Sequence, residues 1–243
     1  AERVEAGEQA LRSERETAEL REQFIAVLGH DLRNPLAAIH ASSQLIERIA
    51  PEPRVRSATA LVQRSVKRMT GLIDDILDFA RGRLGGGIAV ARTGEAQLES
   101  VLAQVIAELR TAWPDRIVEV DIRLARPVAG DGPRIGQLLS NLLANALAHG
   151  DAAAPVRVCA RAERRFELVV SNRGEAIAPE TLARLFQPFS RATTRRGQAG
   201  LGLGLYIAAE IARAHGGTLV AESSADETRF SFSMPLESLP REA

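Results

Sequence analysis

Residues 24 to 36 read Phe24-Ile25-Ala26-Val27-Leu28-Gly29-His30-Asp31-Leu32-Arg33-Asn34-Pro35-Leu36. The run sits inside a longer helical pattern, which we take from about Glu2 to Ile49. Between Glu8 and Arg21 the chain is dense in Glu, Arg, Gln, Ala and Leu, all strong helix formers. Val4, Leu11, Ala18, Ile25 and Leu32 recur every seven residues, but the companion row stays polar until Leu28, so the first part is a weak coiled coil. From Phe24 onward the apolar density rises, and Pro35 within it removes one ladder hydrogen bond and should kink the helix there. Pro51 and Pro53 end the helix. A second helix is expected from Val55 to Arg81, with Val62, Val66, Met69, Ile73, Ile76, Leu77 and Ala80 on one face. Two antiparallel helices cannot cover stripes this wide, so we expect two copies to form a four-helix bundle, a homodimer.

Outward from the hairpin the pattern changes. Arg81 to Gly87 reads Arg-Gly-Arg-Leu-Gly-Gly-Gly, a flexible break. We divide the chain into a coiled-coil-like helix (1–23), a helical hairpin (24–82), a glycine-rich linker (83–87) and a second domain (88–243). In that domain strands are expected at Ile88–Arg92, Ile117–Ile122, Val156–Ala162, Phe166–Ser171, Thr218–Glu222 and Arg229–Met234. Helices are expected at Glu95–Arg110, Asp131–His149, Pro179–Phe186 and Leu203–His215. The mixture implies an α+β chain whose second domain is an α/β sandwich with helices on one face of a sheet.

Composition narrows the function. The 243 residues carry 31 Lys+Arg against 31 Asp+Glu, so no net charge draws the protein to nucleic acid or an anionic membrane. Cys159 is the single cysteine, which excludes an intramolecular disulfide and a multi-cysteine zinc site. Its apolar setting reads as a buried core position. His30, His40, His149 and His215 lack the pairing of a metal-binding helix. No apolar run is long enough to span a bilayer, and the first residue, Ala1, suggests a piece of something longer.

Chemistry concentrates in a few segments. On a helix His30 and Asn34 share one face a turn apart, with Asp31 beside the histidine. A neutral imidazole is a nucleophile near pH 7, and a carboxylate can hold its other nitrogen and take its proton. Asn141 and Asn145 stand at i, i+4 among leucines; amide oxygens suit a hard cation such as Mg²⁺, though paired helix asparagines making ordinary hydrogen bonds read the same way. Val169-Val170-Ser171-Asn172-Arg173-Gly174-Glu175-Ala176-Ile177 is a strand entering a turn. Arg184-Leu185-Phe186-Gln187-Pro188-Phe189-Ser190-Arg191 follows, and Gly200-Leu201-Gly202-Leu203-Gly204 leads into a helix. Glycines at a helix start let backbone amides approach phosphate oxygens.

Taken in order, these segments resemble the catalytic core of two-component sensor histidine kinases, from about Phe24 to Leu236. The phosphoacceptor box falls at His30, the asparagine box at Asn141 and Asn145, the first glycine box at Asn172-Arg173-Gly174, the phenylalanine box at Phe186 and Phe189, and the second glycine box at Gly200–Gly204. The resemblance implies a dimerising hairpin followed by an ATP-binding sandwich of the type shared with Hsp90, MutL and type II topoisomerases. It implies that His30 accepts the γ-phosphoryl group of ATP, that Asp31 orients and deprotonates it, and that Asn34 positions water to dephosphorylate the partner regulator. Asn145 would hold Mg²⁺ with Asn141 assisting, and Arg191 would reach the terminal phosphate. Gly200, Leu201, Gly202, Leu203 and Gly204 would receive the phosphates under a lid spanning Ser190 to Ala199. The same resemblance puts Asn172, Gly174, Ala176, Ile177, Phe186 and Phe189 around the nucleotide, and implies transfer to an aspartate on a response-regulator receiver domain, with regulator phosphatase activity alongside. An upstream sensor domain, a cytoplasmic location for this segment, and no direct membrane or nucleic-acid contact complete the expectation.

Three departures from the family pattern stand out. Asn172 replaces the usual Asp, so an amide oxygen must accept from the adenine amino group. Ala176 replaces the third glycine, and Ala148 stands where a Lys or Arg is usual, leaving His149 as a partial substitute. They motivate an alternative reading: a degenerate kinase acting as a dimeric signalling scaffold.

Overall fold

The structure, a computed structural model, describes residues 27, 29–50, 52–83, 87–91, 98–190 and 201–236. It divides into two compact units, Ala1–Gly87 and Ile88–Ala243. The coiled-coil-like helix expected over 1–23 lies outside the described residues.

In the first unit helix α1 covers 29–49 and runs unbroken across Pro35, and α2 covers Pro53–Arg83. They pair antiparallel. Arg33 donates through Nε (3.0 Å) and Nη2 (2.5 Å) to Asp74 Oδ1, and Gln63 donates to Glu47 Oε2 at 3.3 Å. Gly29 fits because a Cβ there would stand 2.7 Å from Leu77 Cδ1. Leu36, Val66 and Leu77 are buried between the helices. A second apolar set faces outward. Leu32, Ile39 and Ile46 on α1, and Val62, Met69 and Ile76 on α2, are each 40–49% exposed and spaced by seven. An apolar cleft of about 600 Å³ opens along this stripe, lined by Ile39, Ser43 and Ile46 against Val55, Thr59 and Val62.

The second unit is a five-stranded sheet of order β1-β2-β3-β5-β4. The strands are β1 (Val118–Arg123), β2 (Val156–Ala162), β3 (Arg165–Asn172), β4 (Thr218–Ser223) and β5 (Thr228–Pro235). Only β1 and β2 pair in parallel, joined through helix α4 (Gly132–His149); the other pairings are antiparallel. Period-two alternation on β2, β3 and β5 turns Val156, Val158, Phe166, Leu168, Val170, Phe230 and Phe232 to one face. There α4 and α6 (Gly204–Ala214) pack, and α3 (Leu98–Ala112) packs against α4. Phe166 and Phe232 meet edge to face at 5.9 Å, and each fully buried ring contributes roughly 2–3 kcal/mol of apolar burial.

Several expectations change. Residues 88–91 form no strand: the Ala91 N–H donates to Asp131 Oδ2 (2.9 Å), a side-chain acceptor in place of a neighbouring strand, while Ile88 is buried. The helix begun at Pro179 (α5, Pro179–Leu182) stops four residues early; Leu185 and Gln187 turn back onto Leu182 and Arg184, and Pro188 has no N–H to continue. Cys159 is half-buried on the face away from the helices, opposite Val169 and Asp121 in register, so it is no core filler. His215 ends α6 as expected but also binds elsewhere: its Nδ1 contacts Ile211 O at 2.8 Å and its Nε2 accepts from the Asp131 N–H at 3.1 Å.

Candidate active site

On α1 the His30 ring stands in solvent, 73% exposed, beside an Asp31 carboxylate 68% exposed. His30 Nδ1 lies 3.4 Å from Asp31 Oδ1 and 3.1 Å from Asn34 Nδ2. A neutral imidazole has one donor and one acceptor nitrogen. An Nδ1–H aimed at Asp31 leaves the Nε2 lone pair outward, whereas a hydrogen bond from the Asn34 amide to Nδ1 moves the proton to Nε2. Arg33, between them in sequence, faces α2 and pins this turn to Asp74, so the three residues sit on a braced helix.

In the second unit the described residues bring the segments named from sequence together at two places, Asn141 at the start of α6 and Asn172 with Gly174 at the C-terminal end of α4. Asp131 caps α4, accepting from the Arg134 N–H at 3.0 Å, with Pro133 in the first turn. Leu138, Leu139, Leu142 and Leu143 anchor α4 in the core and leave Asn141 and Asn145 half-buried, a turn apart. Asn141 abuts the start of α6: a Cβ on Gly204 would be 3.3 Å from its Oδ1. Its amide nitrogen is buried with no hydrogen-bond partner among the described residues. The first turn of α6 has no side-chain cap either; its N-cap is the buried Leu203. A buried amide donor with no partner among the described residues, set beside a helix N-terminus, is a geometry suited to an anion.

Gly202, with φ of 71°, carries the chain into α6. The Phe189 N–H donates to Gly202 O at 3.0 Å, and a Cβ on Gly202 would meet Ser190 O at 3.1 Å. Phe189 itself adopts φ of 60°, strained for an aromatic residue, and its side chain is 59% exposed. Phe186 and Leu201 are half-buried nearby in sequence, while the buried residue of the phenylalanine turn is Leu185. Arg191, Gly200 and the expected lid lie outside the described residues, apart from Ser190 at its start.

At the C-terminal end of α4, Asn172 is buried and its Nδ2 donates to Arg173 O at 3.0 Å. Arg173 O also accepts the Asp151 N–H at 2.7 Å, binding the two turns together. Gly174 packs against this turn; a Cβ there would lie 3.4 Å from His149 O. The His149 side chain is exposed beside it, Ala176 is exposed, and the Ile177 N–H donates to Ser223 Oγ at 3.0 Å. Sequence reading missed Arg173 O as a double acceptor, although the Asn172-Arg173-Gly174 turn places that carbonyl beside the amide. Among the described residues no group of three His, Cys, Asp or Glu side chains can hold a metal, and no helix is long and apolar enough to cross a membrane.

A hairpin presenting an exposed histidine and a separate α/β unit with an anion-binding junction define a phosphoryl-transfer protein of the two-component type. Residues 20–85 match the His Kinase A (phospho-acceptor) domain, and residues 130–238 match the histidine kinase-, DNA gyrase B- and HSP90-like ATPase family. The chain belongs to the protein-histidine kinases and comprises their catalytic core. It is 33% identical over 237 residues to a bacteriophytochrome of Pseudomonas aeruginosa, covering 96% of this chain and 32% of the relative. It is 34% identical over 221 residues to the probable sensor histidine kinase TcrY of Mycobacterium tuberculosis, covering 88% of this chain and 46% of that one. Among solved structures, full-length ShkA in complex with AMPPNP matches with a TM-score of 0.70 at 25% identity, covering 89% of this chain and 46% of ShkA. The chain thus spans a third to under half of these relatives.

Proposed function

We propose that this core phosphorylates itself on His30 at the expense of ATP and passes the phosphoryl group to an aspartate of a response-regulator receiver domain in the cytoplasm. The observation that carries the reading is the exposed His30 ring flanked by Asp31 and Asn34. With its Nδ1–H held by Asp31, Nε2 attacks the γ-phosphorus, the bond to the β-phosphate oxygen breaks, ADP departs, and the Nδ1 proton goes to Asp31. Phosphoryl transfer needs positioning and charge stabilisation above all. Asn141 Nδ2 and the N-terminal backbone of α6 would meet phosphate oxygens, Arg191 would meet the terminal phosphate, and Asn172 Oδ1 would accept from the adenine amino group. Asn145 would hold Mg²⁺ through its amide oxygen, and Mg²⁺ supplies neutralisation of the phosphate charge.

The outward stripes of α1 and α2 support a homodimer closing as a four-helix bundle. Incubation with γ-labelled ATP should give an acid-labile, base-stable label that His30→Gln removes; label retained in that variant contradicts the reading. Phosphatase activity toward the phosphorylated regulator belongs to Asn34, whose amide reaches the His30 ring. Asn34→Ala should slow regulator dephosphorylation at least tenfold while autophosphorylation persists, and an unchanged rate removes the assignment.

A further inference from the structure

Arg116, just before β1, carries a guanidinium whose Nε and Nη2 are buried with no hydrogen-bond partner among the described residues. Among the described residues its side chain donates through Nη1 to Gly150 O at 3.3 Å. Burying a cation without a carboxylate is costly, so its retention calls for a compensating field. The C-terminal end of α4 supplies one: Gly150 is its C-cap, with its N–H on Ala146 O at 2.9 Å, and helix C-termini attract cations. The backbone of Arg116 is itself fixed, its N–H on Trp113 O at 3.1 Å, and the next residue, Ile117, accepts the Val156 N–H at 2.9 Å.

Gly150 is wedged on its other side. A Cβ there would stand 2.6 Å from Ala146 O and 3.0 Å from both Cβ and Nδ2 of Asn172. The Gly150 backbone therefore lies against the Asn172 amide, and Arg116 holds the carbonyl of the same residue. Asn172 Nδ2 is committed to Arg173 O, which leaves Oδ1 as the acceptor for a ligand. A carboxylate in this position would present an acceptor whichever way it turned. An amide does so only while its rotation is blocked, because a flip exchanges acceptor for donor.

We infer that Arg116 is a positioning residue for nucleobase selection: through Gly150 it locks the Asn172 amide with its oxygen toward a 6-amino purine and against a 6-oxo purine. The inference rests on the reading of Asn172 as the base-contacting residue. ADP and IDP differ only along that edge of the ring, a 6-amino group beside a bare N1 against a 6-oxo group beside an N1–H, and neither is consumed by the kinase reaction. Calorimetric titration of the 243-residue chain with each should show ADP favoured about tenfold, the size of one well-oriented hydrogen bond against its mismatch. In Arg116→Met the ADP affinity should fall about fivefold while the IDP affinity is maintained or improves, as the freed amide turns its nitrogen to the 6-oxo group. Arg116→Lys keeps the charge without the planar fork and should fall between, giving a second reading should the Met variant fold poorly. Equal weakening of both nucleotides, or no change in either, overturns the inference, since a merely structural arginine would not move the ratio. Asn172→Ala separates the two levels. It should bring the ratio to about one; if the ratio survives, the base-contact reading itself fails and the role of Arg116 falls with it.

Discussion

Burial raises the Asp75 carboxyl from its ordinary value of 3.8 to about 6, and the Asp78 and Asp74 carboxylates push in the same direction. The folded hairpin therefore keeps this proton to higher pH than the unfolded chain does. Stability from this group is full below pH 3.8 and is lost as pH rises through 6. Asp75→Asn should raise hairpin stability at pH 7.5 by about 1 kcal/mol, after allowing for solvent screening, with the gain vanishing near pH 4. Urea melts at the two pH values check this; a gain independent of pH would contradict it. His215 makes a different kind of prediction. It joins the end of α6 to the N-cap of α4 through Ile211 O and the Asp131 N–H. His215→Ala leaves both groups unpaired and should cost roughly 2–3 kcal/mol in thermal unfolding. The sequence showed its place before two glycines but could not show a partner 84 residues away. Cys159 was more legible than our reading of it. Arg157 and Arg161 share its phase on β2, and period two puts all three on the face away from the helices.

At the scale of elements, helices announced themselves where apolar spacing was long and regular. The apolar face of the second hairpin helix and the leucines of α4 placed those two helices within two residues at each end, while the start expected for the first helix lies outside the described residues. Residues 88–91 misled because a short apolar run fits a strand or a tethered loop equally, and a side-chain acceptor on Asp131 decided between them. The helix after Pro179 was overextended because apolar residues continue to Phe186, whereas beyond Leu182 the backbone tightens into successive i→i−3 turns. For the hairpin, the outward stripe is the element with the clearest consequence. Leu32, Ile39, Ile46, Val62, Met69 and Ile76 remain 40–49% exposed in one chain. Ile39→Glu should convert a sedimenting dimer to a monomer at micromolar concentration with helix content retained. An unchanged mass would show that this stripe is not the dimer seam.

At the scale of the molecule, the proposed function would divide one reaction between two units: Ala1–Gly87 holds the exposed His30 imidazole, and Ile88–Ala243 holds the junction of α4 and α6 proposed for the nucleotide phosphates. The order of the motifs was legible because each needs particular residue types: a nucleophile with its base, amides near phosphate, glycines at a helix start. Their support was not legible, since it comes from contacts that no local pattern encodes. The unpaired Asn141 amide against Gly204, and the Phe189–Gly202 hydrogen bond, join segments separated by 63 and 13 positions in the chain. Everything turns on the acceptor. The most direct test is to locate the phosphoryl group, after incubation with ATP and Mg²⁺, by electron-transfer fragmentation of peptides kept at alkaline pH. The account predicts phosphate on His30 alone; phosphate on another residue, with His30 unmodified, would contradict it.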